Sequence, residues 1–223
     1  NRLLAIIINT RILSKKKIFI IRHGETEFNK KGIVQGSGVN SSLNQTGIAQ
    51  ADAFFKAYSH VRFDKVYTSK LKRTHQSVKG FIESGYPWQE LEGLNEISWG
   101  YKEGRALSNS DNEQYITMLD AWNSGDYTQK VPGGESPLKV QQRQAIAWKY
   151  LMANEHEKNV LVCMHGRAMR ILFCLLTGTE LKHMDSFAHK NLCLYIVSAE
   201  PEGFTIETTC DTRHLKVLQT AKC

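Results

Sequence analysis

Short continuous apolar runs alternate along this chain with segments whose apolar positions recur three and four apart. Ile18 to Ile21 is one such run, of strand length, as expected of a strand covered on both faces in a parallel sheet. Thr46 to Tyr58 places Ile48, Ala51, Phe54 and Phe55 on one predicted helix face. Val66 to Thr68 reads as a short strand, and Lys70 to Ser84 as a helix ending at Gly85. Ser136-Pro137 predicts an N-cap and first helical residue, opening a helix that runs to about Ala153. Val160 to Met164 is a further apolar strand, and Ala168 to Leu176 a helix stopped by Gly178. Leu192 to Val197 and Phe204 to Thr208 read as strands joined by a Pro-Glu-Gly turn. Such alternation predicts an α/β fold: a three-layer sandwich, its mostly parallel sheet covered by helices on both faces. There is no internal repeat or low-complexity segment.

Two regions break the rhythm. Ser98 to Gly134 carries Trp99, Tyr101, Tyr115, Trp122 and Tyr127 among polar residues, with one helix expected from Asp111 to Asn123, closed by Gly125. Residues 98–134 read either as a small inserted cap over a site or as a surface excursion whose aromatics pack on the domain. At the start, Leu3 to Ile8 is apolar but too short to span a bilayer, lacks a small-residue cleavage pattern, and ends in Ser14-Lys15-Lys16-Lys17. The chain opens on Asn1 rather than Met. Residues 1–17 are therefore treated as an extension of uncertain origin: an added strand or helix, or a leader outside the native start. Residues 18–223 are expected to form one domain, a length that suits a single well-buried core.

The formal charge of +7, from 29 Lys and Arg against 22 Asp and Glu, favours anionic partners without choosing among phosphorylated molecules, nucleic acid and membrane surfaces. No groove-reading motif is present, nor aromatics interleaved with basic residues, which argues against nucleic acid. Five cysteines, at 163, 174, 193, 210 and 223, form no Cys-x-x-Cys clip. That speaks against a disulfide framework or a structural zinc site and for a reducing cytoplasm, with Cys163, Cys174 and Cys193 as buried free thiols.

The chemistry concentrates at strand ends. In "KIFIIRHGETEFN", Lys17 to Asn29, an apolar strand runs straight into Arg22-His23-Gly24. Charge at the end of a buried strand is costly unless something anionic meets it. "VLVCMHGRAMRIL", Val160 to Leu172, repeats the design with His165-Gly166. Ligands of open α/β sheets sit at the carboxyl ends of the strands, so the two histidines are expected in one crevice. In "YTSKLKRTHQS", Tyr67 to Ser77, Ser69 is expected to cap a helix that carries Arg73 near its anion-favouring N-terminus, with Lys70 and Lys72 on a solvated face.

Taken in order, Arg22-His23-Gly24-Glu25-Thr26 with Asn29, Ser69-x-Leu71-x-Arg73-Thr74-x-Gln76, the glutamate of "LNEISWG" and the late His165-Gly166 resemble the histidine phosphatase superfamily, the phosphoglycerate mutase-like proteins, over about residues 18–200. The resemblance implies a phosphomonoesterase acting on a small phosphorylated metabolite, with no metal or other cofactor. His23 would be the nucleophile that becomes a phosphohistidine. Arg22, Arg73 and His165 would hold the phosphoryl oxygens, Asn29 would add a hydrogen bond, and Glu96 would be the proton donor and then the base. Thr26, Gln35, Gly36 and Gly166 are further candidates for substrate contact. Phosphoryl transfer passes through a loose transition state, so two arginines and a second histidine supply what it needs without a metal.

Departures from the family pattern also matter. "SGVNSSLNQTG" stands where an Asp and a Pro-Leu step are usual, and Arg167, where a small residue is usual, is either an anionic-substrate anchor or solvent-facing. "ISWGYKEGR" after Glu96 is the shorter form that resembles the phosphatase branch rather than the mutases, leaving Arg105 and Arg167 as the residues that could anchor a second phosphate. The sequence is silent on oligomeric state and on the identity of the metabolite.

Overall fold

The computed structural model describes residues 15–106 and 108–220, so the expectation for most of the N-terminal extension, residues 1–14, lies outside the described residues. The elements run β1 (Lys16–Arg22), α1 (Glu27–Lys30), α2 (Gln45–Tyr58), β2 (Lys65–Thr68), α3 (Lys72–Ser77), α4 (Lys79–Glu83), β3 (Trp88–Glu90), α5 (Asn109–Asn123), α6 (Pro137–Ala153), β4 (Asn159–Met164), α7 (Gly166–Thr177), β5 (Leu194–Glu200), β6 (Gly203–Asp211) and α8 (Val217–Thr220).

Six strands form one sheet in the order β3-β2-β4-β1-β5-β6. The pairings among β3, β2, β4 and β1 are parallel; β5 and β6 join antiparallel at one side. Alternate residues of the central strands feed two cores. Ile18, Ile20, Val160 and Val162 pack on Trp148 and Leu151 of α6 and on Met169 and Leu172 of α7. Phe19, Ile21, Leu161 and Cys163 pack on Phe54 of α2 and Phe81 of α4. Both faces of the central strands are thus covered by helices, as the unbroken apolar runs require.

β1 begins two residues before Ile18. Lys16 is buried because its ammonium donates to the carbonyls of Leu151 (2.7 Å) and Asn154 (3.0 Å), at the C-terminal end of α6 where backbone acceptors lack partners. The helix expected over Lys70–Ser84 is two helices, broken at Val78 (φ −116°, ψ 16°). Just before the break, the Ser77 hydroxyl donates to the Arg73 carbonyl (2.6 Å), a back-bond that bends helices, and accepts the Gly24 N–H (2.8 Å). Ile48 is not part of the buried face of α2; it is 42% exposed, and Gly47, Ala51, Ala53 and Phe54 take the inward positions. β5 starts at Leu194 because Leu192 is left-handed (φ 52°) and cannot continue a ladder. β3, three residues at the sheet's edge, is too short to leave a periodic signal. The helix of the 98–134 segment matches its expected span within two residues, with Ser108 and Asp111 forming a capping box.

Candidate active site

Parallel pairing of β1 with β4, in the register Arg22 to Met164, ends the two strands side by side and brings His23 and His165 together, their ring centroids 5.1 Å apart. β2 ends next to β4 and delivers Ser69 and, through α3, Arg73. Arg73 is wholly buried. Its Nε donates to His165 Nδ1 (3.2 Å), and its terminal nitrogens donate to the carbonyls of Val39 (2.6 Å) and Gly36 (3.2 Å).

These contacts assign protons. His23 Nδ1 lies 2.7 Å from the Gly24 carbonyl, an acceptor only, so Nδ1 carries the hydrogen and Nε2 keeps its lone pair. His165 Nδ1 accepts from Arg73, so its Nε2–H donates to Ser69 Oγ (2.8 Å). Ser69 does not cap the helix as expected. The N-cap position is Leu71, and Ser69 Oγ instead accepts from the Leu71 N–H and lies 3.0 Å from Thr74 Oγ1, which donates to the Leu71 carbonyl.

Arg22 donates to His189 Nδ1 (3.2 Å), while its Nε is buried with no partner among the described residues. Asn29, third residue of the short helix capped by Thr26, accepts from Asn191 Nδ2 (3.2 Å), and the same Asn191 amide donates to the His23 carbonyl (3.0 Å). Glu96 is buried against the start of α7. Its Oε1 accepts from the N–H groups of Ile97 and Ala168 (both 2.9 Å), and Oε2 from that of Arg167 (3.1 Å).

A cavity of about 270 Å³ opens beside His23, lined by Arg22, His23, Asn29, Gln35 and Glu96 and by Trp99, Lys102 and Tyr115 from the 98–134 segment; Arg73 and His165 are wholly buried and do not line it. Trp122 is buried and stacked on Trp99 at 6.1 Å. Of the further candidates, Gln35 reaches the cavity and donates to Thr26 Oγ1 (2.8 Å). Thr26 is buried with its hydroxyl spent on Asn29 and Gln35, so it shapes the loop and does not line the cavity. Gly36 supplies the carbonyl that Arg73 grips, and a Cβ there would come within 2.1 Å of the Glu103 carboxylate. Gly166 leaves room for the His189 ring, which a Cβ would meet at 2.9 Å. Arg167 is neither solvent-facing nor a lining residue. Its side chain is largely buried, pairs with Asp185 (2.6 Å) and lies over the Trp122 ring. Arg105 pairs with Asp111 (3.0 Å).

Burial, then Arg73, then Arg22 hold the His23 imidazole well below its ordinary value of 6.5; burial, Arg73 and His23 do the same to His165. Burial and then Arg22 push His189 down to about 3, and burial lowers Arg73 to about 10. Crowded cations and burial thus keep these imidazoles neutral. The unfolded chain protonates them below about 6.5 while the folded chain does not, so stability rises with pH across that window and is lost as pH falls below it. His23 and His165 together should steepen the loss by up to about 2.7 kcal/mol per pH unit below 6.5. Urea unfolding at pH 7.0 and 5.5 checks this: a double variant, His23→Asn with His165→Asn, should lose much less stability between the two pH values than the unaltered protein. Equal losses in the two would contradict it.

The sequence profile of the histidine phosphatase superfamily (branch 1) matches residues 18–212. The chain belongs to the histidine phosphatase superfamily. Phosphoserine phosphatase 1 of Hydrogenobacter thermophilus is 27% identical over 204 residues, covering 89% of this chain and 94% of that protein. The fructose-2,6-bisphosphatase TIGAR of Bos taurus is 36% identical over 144 residues, 62% of this chain and 52% of its own length, so the match spans about half of that relative. Among solved structures, the α-ribazole phosphatase of Shigella flexneri superposes with a TM-score of 0.76 at 25% identity, covering 87% of this chain and 96% of the other. Within this histidine phosphatase, sequence reasoning passed over Asn191, His189 and Lys102. Asn191 is brought in because β5 runs antiparallel to β1 and so begins where β1 ends, a direction that an apolar run does not encode.

Proposed function

We propose that this histidine phosphatase hydrolyses a small phosphorylated metabolite through a phosphohistidine on His23, using protein groups alone to hold the phosphoryl charge. The observation that carries the reading is the buried Nε of Arg22, unpartnered among the described residues, beside a His23 whose Nε2 lone pair is free, with the Arg73 guanidinium buried behind them against His165. A buried donor without a partner is costly, and a phosphoryl oxygen would satisfy it.

In the first step His23 Nε2 attacks phosphorus and the bond to the leaving oxygen breaks. The Nδ1–H···O=C bond to Gly24 supports the positive charge that appears on the ring. Both lone pairs of Glu96 Oε1 are taken by Ile97 and Ala168, whereas Oε2 accepts, among the described residues, from Arg167 alone, so Oε2 is the oxygen through which a proton can pass to the leaving alkoxide. Water then attacks phosphorus, Glu96 takes its proton, and the N–P bond returns its electron pair to His23. Arg22 and Arg73 meet the charge on the equatorial oxygens, and Asn29 adds a hydrogen bond. The Ser69 hydroxyl can donate as well as accept, so His165 can turn its proton to Nδ1 and offer it to a phosphoryl oxygen once substrate displaces the Arg73 contact.

Residues 98–134 act as a cap whose wall, Trp99, Lys102 and Tyr115, selects the rest of the substrate. The relatives' named substrates differ from one another, in keeping with selection by such a wall. Arg105 and Arg167, the two arginines left open by the sequence as mutase-type anchors for a second phosphate, are each committed to an aspartate, which favours hydrolysis. The free thiols Cys163, Cys174 and Cys193 support a reducing, cytoplasmic setting. Phosphate release from p-nitrophenyl phosphate tests the proposal, and turnover should be the same with and without EDTA. No release would defeat it, and loss in EDTA restored by a divalent cation would defeat its metal-independence.

A further inference from the structure

Lys102 is 2% exposed, yet it lines the cavity together with Arg22 and His23. Its ammonium has one hydrogen-bond partner, the Asp111 carbonyl (2.5 Å), and lies 5.9 and 5.8 Å from the ring centroids of Tyr101 and Tyr115. Among the described residues it forms no ion pair. Its neighbours differ: Arg105 has Asp111, Arg167 and Arg170 share Asp185, and Arg143 has Glu135. The carboxylate that lines the cavity, Glu96, is spent on three backbone N–H groups.

A buried cation without a counter-charge is unfavourable, and aromatic faces offset only part of that cost. Two of the three N–H donors have no acceptor among the described residues. In the proposed reaction Arg22 meets the phosphoryl group, so a second cation lining the same cavity, carried by the 98–134 segment, is left for another anionic group. Resting on the phosphatase reading above, we propose that Lys102 binds a second anionic group of the substrate, and that this enzyme therefore selects phosphomonoesters carrying a carboxylate or a second phosphate over their singly charged counterparts.

Two matched pairs test it: 3-phosphoglycerate against glycerol 3-phosphate for the carboxylate, and fructose 1,6-bisphosphate against fructose 6-phosphate for the second phosphate. The doubly anionic member of at least one pair should show a kcat/KM at least about tenfold higher, carried mainly by KM, since hydrogen bonds to charged groups are worth that much. Lys102→Met, whose unbranched side chain fills the same aromatic slot, should erase that preference, and Lys102→Arg should retain part of it. A wild-type enzyme indifferent to the second charge in both pairs overturns the proposal. So does a Lys102→Met variant in which both members of a pair fall by the same factor, which would mark a purely structural lysine. Should Lys102→Met not fold, the wild-type preference and its retention in Lys102→Arg decide the matter. The parent reading fails separately, by the absence of phosphate release from every ester including p-nitrophenyl phosphate, and this proposal would fall with it.

Discussion

His23→Ala will lower kcat on an aryl phosphate by at least about 10⁴-fold, the scale on which removing a covalent nucleophile acts. No neighbouring group can replace it. His165 has both ring nitrogens engaged, by Arg73 and Ser69, and His189 accepts from Arg22. The variant should also fail to take up an acid-labile phosphoryl label on brief mixing with a labelled substrate. Because Arg22 and Arg73 remain, it should still bind inorganic phosphate, which separates lost chemistry from a lost pocket. Turnover within a factor of ten of wild type, or a labelled variant, would remove His23 from the nucleophile's role.

Glu96→Gln gives the second large effect, and its signature is a dependence on the leaving group. Alkyl phosphates depart as strongly basic alkoxides and need the proton on Oε2; aryl phosphates depart as stabilised phenolates and need it far less. A loss of about 10² to 10⁴-fold is expected for an alkyl ester, with a much smaller loss for p-nitrophenyl phosphate. The glutamine can keep its oxygen on Ile97 and Ala168, but its amide nitrogen then faces the Arg167 N–H, so both substrates pay some common penalty. The diagnostic quantity is the ratio. Equal losses on both esters would leave Glu96 as a brace for the start of α7 and nothing more.

Much of this is legible in the amino-acid sequence. Ile18–Ile21 and Val160–Met164 announce buried parallel strands because both their faces must be apolar, and the Arg-His-Gly and His-Gly that follow stand out against them. Arg73 was readable from its place after a strand end, although the cap assigned to Ser69 was wrong: that hydroxyl is drawn away to His165, a partner 96 positions distant. Glu96 rested on the family pattern alone, because its setting is made by the backbone of α7, some 71 positions on. Lys102 left no trace for the same reason in sharper form. Burial of a lysine between tyrosines is decided by where α5 comes to lie, and the sequence around it reads as an ordinary polar loop.

The order of strands also governs when the catalyst comes into being. β1 precedes β4 and β5 in the chain, yet it lies between them in the sheet, and the His23 carbonyl is tied by Asn191, 168 positions downstream. Until β4 and β5 have been synthesised, His23 sits at the end of an unpaired strand with neither His165 nor its Asn191 tether. The apolar Ile18–Ile21 run must therefore wait for two partners distant in sequence, a non-local pairing of the kind that slows folding and leaves a strand unpaired in the interval.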